Sequence, residues 1–349
     1  MALKSRWRAN GLALVGSLLF SLLAAELLLR LLRLGYNHAP LNPSASRHHE
    51  HPANFNFKAY SLQNEWGEFP IRTDRFGNRS LQGLCRFPPS GPQRHLVVLG
   101  DSFIEGFQVR DAESITGILQ QRLCPEGIEV HNLGVSSYSP LLSQIQLREF
   151  VRDHPAGDGL LKGGTVLHVL YDNDHAGDQE YSSLLQRNPA GEPVVPADQQ
   201  LSPLAQLARV SYLARLLRRA QLTSAELARQ GSPPAGPLQG QAAAPAAECA
   251  VPLEQWRWSE AALKAIRDQV HAAGGRYVLS AIPTDPRKGP TLMPCYALLA
   301  ERLGVPYLPV AAPLLDQPQR YYFRHDIHLN PAGNEVVAEQ LLNGLAAQG

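Results

Sequence analysis

Net charge is almost absent from this sequence: +1 over 349 residues, which excludes the basic footprint of a nucleic-acid-binding protein. Closely spaced cysteine pairs are also missing. Cys85, Cys124, Cys249 and Cys295 form no Cys-x-x-Cys unit, so a zinc ribbon or dithiol redox motif is not expected. Neither a Gly-rich phosphate loop nor a dinucleotide fingerprint occurs, and no repeat unit is visible. The stretch Asp172-Asn-Asp-His-Ala-Gly-Asp178 opens like a calcium loop. Ala176 and Ser183, however, occupy its fifth and twelfth positions, where oxygen ligands are needed. His48, His49 and His51 lie close together, but only Glu50 accompanies them, and the stretch from Asn37 to about Phe57 reads as a solvated linker.

What is present begins at the N-terminus. Lys4, Arg6 and Arg8 precede an apolar run from Gly11 to Ala25, and Leu-rich sequence continues to Leu34. A basic start before such a run reads as a signal anchor with the N-terminus inside. Glu26 and Arg30 are four apart and pair on one helix face. Leu23 and Ala25 make a poor cleavage site, which favours an uncleaved anchor over 1–35 followed by a linker over 36–68. The rest of the chain would then lie outside the cytoplasm, where an even number of cysteines suits two disulfides. Cys85 precedes the first strand of the domain and Cys124 ends its first helix, which predicts that these two meet at the sheet's amino-terminal edge.

From residue 69 to 349 the pattern alternates. Short apolar runs at His95–Leu99, Ile128–Leu133, Thr165–Leu170, Tyr277–Ile282 and Val305–Leu308 read as buried strands. Between and after them lie helical patterns at 115–123, 141–151, 260–272, 292–303 and 331–345, the last with Asn330 as N-cap and Pro331 at its first position. Strands separated by helices imply right-handed crossovers, a parallel sheet and helices on both faces. An insertion at about 178–258 interrupts this order. Its first half carries a helix with apolar positions Leu204, Leu207, Tyr212, Leu213, Leu216 and Leu217. Its second half, 231–247, is Pro, Gly, Ala and Gln with almost no charge, a composition that cannot order itself.

Chemistry-bearing residues fall at the strand ends. Gly100-Asp-Ser102 follows the first strand, Asn132-Leu-Gly-Val-Ser136 ends the second, Tyr171-Asp-Asn-Asp174 follows the third, and Arg324-His-Asp-Ile-His-Leu-Asn330 precedes the last helix. A serine nucleophile needs a base, itself oriented by a third group. Asp326 and His328 are two apart and face one side of an extended segment, with His325 the alternative base. In this order the four blocks resemble those of the SGNH (GDSL) hydrolase superfamily, and the Asp-x-His spacing resembles its anchored branch of alginate-type O-acetyltransferase-like proteins. Two departures stand out: many members carry Asp-x-x-His, and Tyr171 replaces a family glycine.

The resemblance implies a flavodoxin-like three-layer α/β/α domain behind an N-terminal membrane helix. It further implies Ser102 as nucleophile, His328 as base and Asp326 as its orienting group. The oxyanion hole would be built from the Ser102 N–H, the Gly134 N–H and Asn173, with neither cofactor nor metal. The expected function is an esterase acting on O-acyl groups of an extracytoplasmic carbohydrate or lipid. Two alternatives are acyl transfer onto a polysaccharide by the same residues, and a non-catalytic module that binds glycan or a membrane acyltransferase partner.

Overall fold

The computed structural model describes residues 2–32, 40–61, 63, 65–197, 203–230, 249, 251–287 and 291–348. The chain divides into two compact units, Met1–His38 with Gln200–Pro237, and Ala39–Gln199 with Leu238–Gly349.

The first unit is helical. α1 (Ala2–Leu32) is the one helix among the described residues long and apolar enough to cross a membrane, with a mean hydropathy of 2.3 over Asn10–Leu32. The ion pair expected on its surface is present, Arg30 Nε donating to Glu26 Oε1 at 2.7 Å. Glu26 has a second task. Its carboxylate accepts from Ser211 Oγ and from the backbone N–H groups of Tyr212 and Leu213, at 2.8–2.9 Å. These donors open a helix whose first N–H groups have no partner inside it, so a residue of α1 caps an element nearly two hundred positions away. The insertion thus contains two helices where the sequence predicts one, Pro203–Val210 and Tyr212–Gln230, broken at Ser211. They group with α1, not with the sheet. The low-complexity stretch 231–247 lies outside the described residues.

The second unit opens with two short antiparallel pairs, β1 (Asn42–Pro43) with β2 (His49–Glu50) and β3 (Asn56–Tyr60) with β4 (Gly67–Arg72). This overturns the reading of 36–68 as a solvated linker. Phe57, Ala59 and Trp66 are buried, and so are His49 and His51. His49 Nε2 meets the Ser136 carbonyl at 2.7 Å, the Tyr138 hydroxyl donates to the His49 carbonyl at 2.6 Å, and His51 lies 3.4 Å from Glu105. Polar residues are buried here because each finds a partner on the domain, information that local composition does not contain.

The central sheet is parallel and five-stranded: β5 (Arg94–Gly100), β6 (Ile128–Gly134), β7 (Thr165–Tyr171) and, after a small hairpin of β8 (Gln186–Arg187) and β9 (Pro193–Val194), β10 (Arg276–Ile282) and β11 (Tyr307–Pro309). Their order across the sheet is β11-β10-β7-β5-β6. Counted in chain order, that is the 2-1-3-4-5 arrangement of flavodoxin-like folds, whose switch point falls between β5 and β7.

Ten helices lie between α1 and the last one. They are α2 (Ser102–Glu105), α3 (Ile115–Leu123), α4 (Pro140–Asp153), α5 (Asp174–Ser182), α6 and α7 as given for the insertion, α8 (Arg257–Ala272), α9 (Met293–Leu303), the short α10 (Ala311–Asp316) and α11 (Pro318–Tyr321). α12 (Pro331–Ala346) closes the chain, bringing the described total to twelve.

Alternation along β5 splits the core into two layers. Val97 and Leu99 pack with Phe150 of α4, Ile266 of α8 and Leu299 of α9. Leu96 and Val98 pack with Ile115 and Leu119 of α3 and Val337 and Leu341 of α12. Strands buried on both faces are the reason these segments read as continuous apolar runs.

Both disulfides are present, Cys85–Cys124 as predicted and Cys249–Cys295, with Cα separations of 5.8 and 4.5 Å. The first closes a loop across 39 positions, worth about 4 kcal/mol in the chain-entropy account. Replacing both Cys85 and Cys124 by Ser is expected to lower the thermal midpoint by on the order of 10 °C. An unchanged midpoint would show that the bridge does not constrain the unfolded chain.

Candidate active site

β5 ends at Gly100, and Asp101 then caps the single turn of α2 by accepting from the Phe103 N–H at 2.9 Å. Burial pushes the Asp101 carboxyl up to about 6. Ser102 is the first residue of α2, so its N–H is one of the donors a helix leaves without an internal partner. Gly106 ends the turn in the left-handed region at φ 63°, a conformation that costs glycine nothing. Arg79, buried at 3% exposure, donates to the Glu105, Gly106 and Val109 carbonyls and to Asp111 Oδ1. One guanidinium thus occupies carbonyls at the far end of the turn that presents Ser102.

Opposite Ser102 stands the loop before α12. His328 Nε2 lies 2.7 Å from Ser102 Oγ. The ring's other nitrogen, Nδ1, hydrogen-bonds Asp326 Oδ1, which also accepts from the His328 N–H at 3.0 Å. Burial raises the Asp326 carboxyl, but hydrogen bonds from His328 and Trp66 outweigh it and hold the group at about 2. Asp326 is therefore an anion throughout the neutral range. His325, the alternative base, is exposed, and among the described residues no hydrogen bond joins its ring to Ser102 or Asp326.

Two residues that sequence reasoning missed hold this loop. Trp66 Nε1 donates to Asp326 Oδ2 at 2.8 Å, and the Glu65 carboxylate accepts from the backbone N–H groups of Arg324, His325 and Asp326 at 3.0–3.2 Å. Both belong to the segment read as a linker, and no local signal in it points to residues 260 positions away. Trp66 also meets Phe107 edge-on at 5.5 Å, and Phe103 packs against the His328 ring at 4.9 Å. Aromatic surface thus lines the base.

The oxyanion donors divide. Asn173 follows β7, next to β5 in the sheet, and its exposed side chain makes no hydrogen bond among the described residues. Gly134 does not fit the role assigned to it. Its N–H already donates to Asn132 Oδ1 at 2.9 Å. A different constraint explains the glycine: a Cβ there would sit 2.1 Å from the Glu105 nitrogen, inside the backbone of α2. Asn132 completes the weld, donating to the Ile104 carbonyl and to Thr116 Oγ1 at 2.7 Å each. Tyr171, where the resemblance expects a glycine, packs its ring tilted against Phe103 at 4.4 Å.

No protein-family model and no curated protein matches the sequence. Solved structures to which the chain is similar include the psychrotrophic esterase EstA from Pseudoalteromonas sp., at 12% identity, 73% of this chain, 98% of that one and a TM-score of 0.42. A variant of Axe2, an acetyl-xylooligosaccharide esterase from Geobacillus Stearmophilus, is 13% identical over 73% of this chain and 94% of that one, with a TM-score of 0.39. AlinE4, an SGNH-hydrolase family esterase, is 15% identical over 74% of this chain and 97% of that one, with a TM-score of 0.36.

Proposed function

We propose that this chain is a serine esterase of the SGNH type, anchored by α1 and acting on O-acyl groups of an extracytoplasmic carbohydrate or lipid. The observation that carries the reading is the hydrogen-bonded series Ser102 Oγ, His328 imidazole, Asp326 carboxylate. Serine becomes a nucleophile when an adjacent base takes its proton. Ser102 Oγ attacks the ester carbonyl as its proton passes to His328 Nε2, and Asp326 stabilises the imidazolium from the other side. The tetrahedral oxyanion is assigned to the Ser102 N–H and the Asn173 amide, donors that stabilise its charge as it develops. Collapse expels the alcohol, which takes the proton back from Nε2. Water, activated by the same nitrogen, then releases the acid. Two disulfides and an apolar, basic-flanked N-terminal helix support an oxidising compartment on the far side of a membrane.

The purified chain is expected to hydrolyse aryl acetates with a burst of acyl-enzyme. Adding a glycan acceptor separates hydrolysis from transfer, since transfer moves the acyl group onto the acceptor. Absence of both turnover and a covalent acyl-enzyme over a range of acyl esters would overturn the proposal. Asn173→Ala is expected to cost on the order of 10²–10³ in kcat with little change in KM, as loss of one oxyanion donor does. Steady-state kinetics on the same aryl acetate checks it.

A further inference from the structure

At the other end of the sheet, three side chains that the esterase mechanism does not use converge on one point. His95 is the second residue of β5, and Glu129 and His131 lie on the neighbouring edge strand β6, with His95 in register with Glu129 and Val97 with His131. Glu129 and His131 are two apart, so both point to the face that carries α4, while Val130 between them joins the opposite core layer. His95 Nδ1 lies 3.1 Å from His131 Nε2, Glu129 Oε2 lies 3.5 Å from the first nitrogen and 3.7 Å from the second. Phe150 and His154, at the end of α4, cover the cluster, each ring 5.4 Å from that of His131.

That triangle has the dimensions of one face of a metal tetrahedron. Zinc with bonds of about 2.0–2.1 Å to nitrogen and carboxylate oxygen requires its ligand atoms to stand about 3.4 Å apart. Two imidazoles and a carboxylate are a zinc donor set, completed by water in a tetrahedron. Ligation also requires nitrogen lone pairs that are free of protons. Glu129 remains about one-third exposed, which leaves a way in from solvent.

We propose that His95 Nδ1, His131 Nε2 and the Glu129 carboxylate form a zinc site that pins edge strand β6 to β5, with water as the fourth ligand. Ser102 lies seven positions beyond His95, the first five of them along β5, which span about 17 Å at the rise of an extended chain, so the site is independent of the esterase chemistry.

The test uses the full chain in detergent, stripped with a chelator and then titrated with zinc against a chromophoric competitor. One tight equivalent is expected. His95→Ala and Glu129→Gln are each expected to weaken it by at least about 100-fold, since even outer-shell partners of a metal cost 10–100-fold when removed. Cobalt in place of zinc is expected to give the visible bands of a four- or five-coordinate ion in the wild type, and to lose them in both variants. Zinc is expected to raise the thermal midpoint of the wild type and not of Glu129→Gln, whose near-isosteric side chain keeps the fold testable. No tight equivalent, or one that survives both substitutions, would show that the three groups only hydrogen-bond one another.

Discussion

Ser102→Ala is expected to abolish acyl-enzyme formation and to lower kcat by on the order of 10⁴–10⁶, with the fold unchanged. The second part follows from position. Among the described residues Ser102 Oγ hydrogen-bonds only His328 Nε2, at 2.7 Å, and the turn that carries it is held by Asp101, Arg79 and Asn132 instead. His328→Ala is expected to lose nearly as much, because serine without its base is a poor nucleophile. The double variant is expected to be little worse than Ser102→Ala alone, since groups acting as one unit are not additive. Circular dichroism and thermal midpoints close to wild type, with kcat on an aryl acetate at background, are the readouts. Full activity in Ser102→Ala on an ester that the wild type cleaves would remove the proposed mechanism.

How far the sequence carried this site depends on which force positions each part. The five strands of the central sheet and the five longer helices beside them were legible, with the helix at 115–123 found at those bounds, because burial on two faces writes itself into unbroken apolar runs. Ser102, Asp326 and His328 were legible through short spacings that chemistry demands. Gly134 was misread: a glycine at a strand end looks the same whether it donates to an oxyanion or makes room for the Ile104–Glu105 backbone, and only the structure shows the second. Glu65, Trp66, His49 and His51 were not legible at all. Each is a polar or aromatic residue in a short irregular segment, and each is fixed by a partner far along the chain: Asp326, the Ser136 carbonyl or Glu105. Glu26 belongs with them. Its pairing with Arg30 is local and was readable, whereas its capping of the helix at Tyr212 is not.

The orienting group gives the second large effect. Asp326→Asn is expected to lower kcat by about 10⁴, the loss seen when the carboxylate of a serine triad becomes an amide, and the structure explains why an amide cannot stand in. Asp326 offers one oxygen to His328 Nδ1–H and the other to Trp66 Nε1–H. An asparagine has a single acceptor oxygen for these two donors. If that oxygen faces Trp66, the amide NH₂ faces His328 Nδ1, which must then accept, and the ring carries its proton on Nε2. A histidine in that tautomer has no lone pair for the proton of Ser102. If instead the oxygen faces His328, two donors oppose each other at the indole, in a place where Trp66 is only 8% exposed, and the group left unpaired carries the cost of its desolvation. Trp66→Phe removes that conflict. The double variant Trp66→Phe with Asp326→Asn is therefore expected to recover kcat by about tenfold over Asp326→Asn, although Trp66→Phe alone lowers it. Comparing kcat on one aryl acetate across the four proteins decides the matter. Near-normal turnover in Asp326→Asn would assign the orientation of His328 to another group, and a double variant no better than Asp326→Asn would show that the indole does not choose which way the amide turns.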